Sequence, residues 1–277
     1  MIFISTTCLN NNKNLFQVLE KYAKLGITNI ELGSAHDYIE NFTSLFKWQK
    51  EYDFDFIIHG FFPPNKKPVW MNLASINKEI LEISIWVVKN AIELCRKLDS
   101  NLYSFHGGYL YDFDMNHKQI GKELSKKEAY SLLKENIGEM CDYASQYSVN
   151  IAIENMNATL PQVLFNTSNE IKDFLKAVSR KNLGVLIDIG HLKLASQRLG
   201  FDPKQFIKML QEKMFEIHVH ENNGVEDDHL LLKDTKLLDI FDKGVIAKIP
   251  VTLESTKLSE KQLIEGKNFL DKAILNF

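Results

Sequence analysis

The residues able to do chemistry in this 277-residue chain stand at recurring places. Short β-rich runs end at or near ionisable side chains. Glu31 lies in 28–32, His59 closes 54–59, His106 closes 101–106, Glu154 closes 149–154, Asp188 closes 183–188 and Glu254 closes 249–254. In the run 215–220, Glu216, His218 and His220 alternate with Ile217 and Val219, so one face is ionisable and the other aliphatic. A lone His or Glu at a strand end is an ordinary satisfied polar group, but seven runs sharing the habit point to one common site. Burying several ionisable groups together is costly unless they pair or bind a metal. Imidazole with carboxylate suits Zn²⁺, Mn²⁺, Co²⁺ or Fe²⁺ better than Ca²⁺ or Mg²⁺ alone. Two local spacings add reach. Asp188-Ile-Gly-His191 leaves its strand and turns, and Asp227-Asp228-His229 follows the seventh run on a loop able to close over the same rim. Taken alone, Glu226 to Asp228 is simply a solvated charge run.

The elements that must position these groups alternate from end to end. Strand runs are expected at 2–6, 28–32, 54–59, 101–106, 149–154, 183–188, 215–220 and 249–254, each rich in β-branched or aromatic residues. Helical patterns lie between them. Ser125-x-x-Glu128, Thr167-x-x-Glu170 and Ser259-x-x-Gln262 have the form of capping boxes, and Asp202-Pro203 that of an N-cap followed by proline. Over 77–98, Ile80, Ile83, Val87, Ala91, Leu94 and Leu98 repeat with helical period. Eight strands in strict alternation with about eight helices predict an α/β fold, a single (β/α)₈ TIM barrel over 1–277. None of the 13 glycines makes the Gly-rich phosphate loop that an open, doubly wound sheet would carry. In a barrel, all strand C-termini face one rim, where active sites of this fold are built.

Composition narrows the partners. A formal charge of −3 and only three arginines (Arg96, Arg180 and Arg198) leave no electrostatic footprint for nucleic acid. No apolar run reaches the roughly 18 residues of a membrane span, and no basic-then-apolar leader opens the chain. Cys8, Cys95 and Cys141 are odd in number and have no metal-like spacing, which fits a reduced, cytoplasmic setting.

With these residues in order, the chain resembles the xylose isomerase-like TIM-barrel superfamily. That superfamily holds sugar and sugar-phosphate isomerases and epimerases together with nuclease IV-type apurinic endonucleases. The resemblance rests on IAIEN with Glu154, DIGH with Asp188 and His191, His218-Val-His-Glu221, and TLE with Glu254. It implies a shared four-ligand metal site of Glu154, Asp188, His218 and Glu254. His59 in IIHGFF, His106 in FHGG, and Asp227 and His229 resemble the further ligands of the nuclease branch; with His191 they are candidates for additional metal or substrate binding. ENMNATLPQ replaces the nuclease's Gly- and Thr-rich continuation, and ELGSAHDY is similar to the isomerase branch. Gly224 stands where one group of ketose epimerases carries arginine, so the resemblance names no particular sugar enzyme.

The implied activity is a divalent-metal-dependent sugar (or sugar-phosphate) isomerase or epimerase. Glu154 and Glu254 would serve as acid and base on a cis-enediolate, with Phe61, Phe62 and Trp70 as an apolar wall. The expected cofactor is one divalent ion (Zn, Mn, Co or Mg), with donors for up to three. The expected partner is a small carbohydrate, with no membrane or nucleic acid and room for a homo-oligomer. The alternative is a nuclease IV-like zinc phosphodiesterase. His36 and His117 are expected on the surface, without a role.

Overall fold

The computed structural model describes residues 1–275 apart from 10, 35, 68, 160 and 161. Two of the motifs above, over 31–38 and 154–162, therefore include positions outside the described residues. The first four strands of the barrel are β1 (Ile2–Ser5), β2 (Asn29–Leu32), β3 (Asp55–His59) and β4 (Leu102–His106). A small antiparallel hairpin follows, β5 (Asp112–Phe113) with β6 (Gln119–Ile120). The barrel then continues through β7 (Asn150–Glu154), β8 (Leu183–Asp188), β9 (Met214–Val219) and β10 (Val251–Leu253). All eight barrel strands are parallel, and β10 closes the ring on β1.

The period of two along each strand explains where the site sits. Phe3, Ile57, Leu102, Ala152 and Leu186 pack together as a small apolar cluster against Phe215. Two residues further along the same strands stand Ser5, His59, Ser104, Glu154 and Asp188, all buried. Inward positions thus change from apolar to ionisable on approaching the C-terminal rim. The opposite faces, including Ile153, Val185, Ile187, Ile217 and Val219, join the main core beneath the helices.

The helices are α1 (Leu15–Lys24), α2 (Thr43–Tyr52), α3 (Lys78–Lys97), α4 (Lys126–Ser145), α5 (Ser168–Val178), α6 (Ile189–Leu199), α7 (Pro203–Leu210), α8 (Lys243–Ile246) and α9 (Glu260–Leu275). Ser125 and Ser259 make full capping boxes with Glu128 and Gln262. Thr167 caps α5, but the Glu170 carboxylate accepts from the Asn166 N–H instead of completing the box. Helix α3 buries Ile80, Val87, Ala91 and Leu94, as its period predicts.

Strict alternation fails in two places. Helices α6 and α7 both lie between β8 and β9, and the long segment from β9 to β10 carries only the single turn of α8. That segment begins with Glu221-Asn-Asn-Gly-Val-Glu-Asp-Asp, which has no apolar period to bury. It pairs with itself through a bridge between Glu221 and Leu230 and returns over the rim. Among the described residues, no helix is long and apolar enough to cross a membrane.

Candidate active site and metal centre

Strands β2, β3, β4, β7, β8 and β9, with the residues just after β9 and β10, supply the acidic and imidazole groups of one rim. Glu154 ends β7 and is almost fully buried. His106 Nε2 lies 3.2 Å and His59 Nε2 3.5 Å from its Oε2, while His191 Nδ1 lies 2.9 Å from its Oε1. Neither carboxylate oxygen has an aligned hydrogen bond among the described residues. Burial opposes ionisation of Glu154, but His106 and His191 outweigh it and hold the carboxyl well below the usual range. His59 is held neutral: burial, followed by the neighbouring His218, lowers its pKa to about 4.

Asp188 divides its two oxygens. Oδ1 accepts the His191 N–H at 2.7 Å and so caps α6. Oδ2 lies 3.0 Å from His220 Nε2, and both atoms are buried without an aligned hydrogen bond among the described residues. His218, one inward position deeper on β9, is differently engaged. Its Nε2 meets Glu31 Oε2 at 2.7 Å and its Nδ1 meets Glu254 Oε2 at 3.0 Å. Burial opposes its charge, but Glu31 and Glu254 raise its pKa well above the usual value. Glu31 itself is pushed up to about 8, chiefly by burial and against the pull of His218.

The rim loop after β9 is drawn inward. Asp227 Oδ2 contacts His191 Nε2 at 2.8 Å and His229 Nε2 at 3.5 Å, and accepts from the Asn157 amide at 3.0 Å. Asp227 is therefore not the solvated acid its charge run suggests. The His229 ring stacks on His220 at 3.9 Å between centroids, and its Nδ1 reaches the Glu254 carbonyl at 2.9 Å. Burial opposes the charge on His229, but Asp227 and Glu254 outweigh it and raise the pKa to about 9.

All nine candidate residues thus gather at one end of the barrel. Glu154, His59, His106, His191, Asp227, His229 and Glu254 line a cavity of about 390 Å³, whereas Asp188 and His218 are fully buried and do not line it. Several triads place one donor atom each within 4.8 Å of one another: His59–His106–Glu154, Glu154–Asp188–His218, Asp188–His220–Glu254 and Glu31–His59–His218. A fourfold group, His191–His220–Asp227–His229, adjoins them.

Sequence reasoning missed the Glu31–His218 contact, although Glu31 was visible as a strand-end acid. It also missed Ser104, whose Oγ lies 3.0 Å from His59 Nδ1, and Asn155, which bonds both backbone groups of Asp188. Neither has a signal in residue type or spacing. The apolar wall needs correction. Phe61 and Trp70 line the cavity, but Phe62 is fully buried and packs in the core. His36 also departs from expectation, being 9% exposed, whereas His117 is exposed beside the Trp70 ring.

Residues 19–254 match the model of the xylose isomerase-like TIM-barrel family, and the chain belongs to that family. It is similar to an uncharacterized protein of Methanocaldococcus jannaschii, 26% identical over 239 residues, covering 83% of this chain and 75% of that protein. It is also similar to an inosose isomerase of Bacillus velezensis, 28% identical over 229 residues, covering 80% and 72%. Among solved structures, a D-tagatose 3-epimerase-like protein superposes with a TM-score of 0.79 at 22% identity, over 99% of this chain and 96% of that one.

Proposed function

We propose that the protein is a divalent-metal-dependent isomerase or epimerase of a sugar or sugar phosphate. One observation carries the reading. Glu154 on β7 and Glu254 after β10 stand three strands apart in a ring of eight and line the same cavity, and the intervening strands carry Asp188 on β8, His218 on β9 and His220 just after it. Two carboxylates facing across a cavity suit removal of a proton from one face of a carbon and its return from the other. The similarity to an inosose isomerase supports the same reaction class.

The donor set fits a cation. Buried polar atoms without hydrogen bonds among the described residues call for an explanation, and Asp188 Oδ2, the Glu154 oxygens and His220 Nε2 are of this kind, Glu154 and His220 each in a triad with Asp188. Glu154, Asp188 and Glu254 would hold the ion. The family resemblance assigns the fourth place to His218, but both of its ring nitrogens are engaged in hydrogen bonds with Glu31 and Glu254 whereas His220 Nε2 has none among the described residues, so we assign that place to His220. When bound, a divalent ion supplies Lewis-acid polarisation of a carbonyl and its neighbouring hydroxyl. Of Glu154 and Glu254, one would take the proton from the carbon next to the carbonyl, leaving a cis-enediolate, and the other would return a proton from the opposite face; His106 and His191 keep Glu154 ionised, and His191 and His229 orient hydroxyls. Phe61 and Trp70 cover the apolar edge of the sugar.

The test is solvent-deuterium incorporation into a panel of ketoses by metal-loaded protein. Exchange at the carbon next to the carbonyl is expected for at least one ketose, and its absence across the panel overturns the reading. A second reading, a nuclease IV-like zinc phosphodiesterase, is favoured by the overlapping donor clusters around Glu154 and around His191–Asp227–His229. Metal content of protein purified without added metal separates the two. One ion per chain supports the isomerase, and three zincs support the phosphodiesterase.

A further inference from the structure

The cavity that holds the two glutamates is chemically divided. One half is the ionisable rim, and the other is walled by Phe61, Trp70, Tyr109, Phe113, Met156 and Val163. The wall is continuous. Tyr109, Phe113, Met156 and Val163 pack as one buried apolar cluster, with Trp70 against it. Ring centroids lie 5.1 Å apart for Tyr109 and Phe113, 6.4 Å for Trp70 and Phe113, and 5.5 Å for Phe61 and Trp70. Wall and rim meet at His106. The Phe61 ring stands 6.3 Å from that imidazole between centroids, and the Tyr109 hydroxyl lies 3.4 Å from its Nδ1. His106 Nε2 is in turn 3.2 Å from Glu154, so a carbon chain that reacts at Glu154 reaches the wall within a few bonds.

The lining limits what such a chain can carry at its far end. Among the described residues, no lysine or arginine lines the cavity, whereas Glu154, Asp227 and Glu254 do. A phosphate there would lack the cationic clamp that anion recognition uses, and would face carboxylates instead. The neutral polar side chains of the lining already hold protein partners. Thr159 donates to Asn157 Oδ1 at 2.6 Å, the Asn157 amide donates to Asp227, Ser34 Oγ accepts from the Phe61 N–H, and Thr7 meets Ser5. His117 stands at the exposed end of the wall, 4.8 Å from the Trp70 ring between centroids. A hydroxyl pressed into the wall would leave water without a partner, whereas a methyl group gains by the same burial. One aromatic face accepts the C–H face of any sugar, but six apolar side chains, Met156 and Val163 among them, enclose an end.

We propose that the substrate is a neutral deoxy sugar whose carbon chain ends in a methyl group against Phe113, Met156 and Val163, with neither phosphate nor hydroxyl at that end. The inference rests on the reading of this cavity as the sugar site. At about 390 Å³ the cavity stands at the small end of the range for small-molecule sites, which fits one monosaccharide and leaves no place for a bulky apolar substituent.

The test is calorimetric binding of matched ketohexoses to the metal-loaded protein, each offered as the parent sugar, its 6-deoxy analogue and its 6-phosphate. An apolar pocket discriminates against an added hydroxyl by up to about a hundredfold. In at least one set the 6-deoxy sugar is expected to bind at least about ten times more tightly than its parent, and the 6-phosphate more weakly than either. Met156→Gln and Val163→Thr keep the side-chain size and add a polar group to the wall, and each is expected to reduce the preference to below about threefold. Equal affinity for parent and 6-deoxy sugars in every set, tighter binding of a 6-phosphate, no binding by any set, or a preference unchanged in both variants overturns the proposal. The comparison on the parent protein decides whether or not the variants fold. Binding does not require turnover. A 6-deoxy preference without deuterium exchange in any ketose therefore sinks the proposed activity and leaves the methyl-binding wall standing, and exchange without that preference does the reverse.

Discussion

Gly190 lies directly against the imidazole of His220. A β-carbon built on Gly190 would fall inside contact distance of the ring's Cε1, Nδ1 and Nε2. The glycine of the Asp188-Ile-Gly-His191 turn is therefore the space in which His220 stands, and α6 begins there without a side chain. Gly190→Ala is expected to displace His220 from Asp188. Overpacking of this kind costs about 1–3 kcal/mol. Loss of a group that orients metal ligands lowers metal affinity about 10–100-fold. Competition with a chromogenic chelator measures the affinity, and unchanged zinc affinity in Gly190→Ala would refute the place given to His220.

The two-carboxylate mechanism makes a prediction for each glutamate. Glu154→Gln and Glu254→Gln keep the shape and remove the proton acceptor. Positioned acid–base groups contribute about 10²–10⁴-fold, so each variant is expected to lower product formation at least 10²-fold. Deuterium exchange and metal content are measured on the same preparation. If metal-loaded Glu254→Gln exchanges like the parent protein, the assignment of Glu254 as an acid–base group is wrong.

Protonation of the rim histidines predicts a pH dependence of metal binding. His229 has its pKa raised to about 9 and His191 is raised well above the usual value. An unfolded histidine titrates at about 6.5. In the metal-free protein these raised values contribute stability below about pH 6.5, and for His229 that contribution is lost as pH rises through about 9. His191 Nδ1 lies 2.9 Å from Glu154 and His229 Nδ1 3.7 Å from Glu254, two of the carboxylates assigned to the ion, so a cation bound there disfavours the charged imidazoles and displaces their protons. Zinc binding at pH 7.5 is therefore expected to release protons, visible as a dependence of the calorimetric heat on buffer ionisation enthalpy. Apparent affinity should rise from pH 6.5 to 8.5. A flat profile with no proton release would show that the ion binds away from the carboxylates these imidazoles contact.

Much of this site was legible in residue order, for a physical reason. A strand's side chains alternate, so Glu216, His218 and His220 had to share one face with Ile217 and Val219 on the other. In a parallel barrel that inward face ends at the rim, which brought Glu154, Asp188 and Glu254 together without any local contact between them. Depth was not legible. The same alternation gives His218 and His220 one face, and only the register of β9 against β8 puts His218 level with Asp188 and His220 above it. Phe62 was read as a wall residue because it follows Phe61, yet the chain turns so that only Phe61 meets the cavity. His36 sits in a polar loop with no period, and nothing in its neighbours signals burial.

His218 on β9 and His220 just after it give a final prediction, because they separate structural from metal-binding roles. His218 is fully buried between Glu31 and Glu254. Removing one partner from a buried charged cluster costs about 3–5 kcal/mol. His218→Gln is therefore expected to lower Tm by at least 6 °C, using roughly 2–4 °C per kcal/mol for a chain of this size, whether or not metal is present. His220 contacts Asp188 through an atom that has no aligned hydrogen bond. A ligand at 100 times its Kd stabilises by about 2.7 kcal/mol, so saturating zinc should raise the Tm of the parent protein by roughly 5–10 °C. That increment should be lost in His220→Gln and retained in His218→Gln. Thermal unfolding of the three proteins with zinc and with chelator checks both statements. If the increment disappears in His218→Gln and persists in His220→Gln, the ligand is the deeper histidine and the assignment made here is reversed.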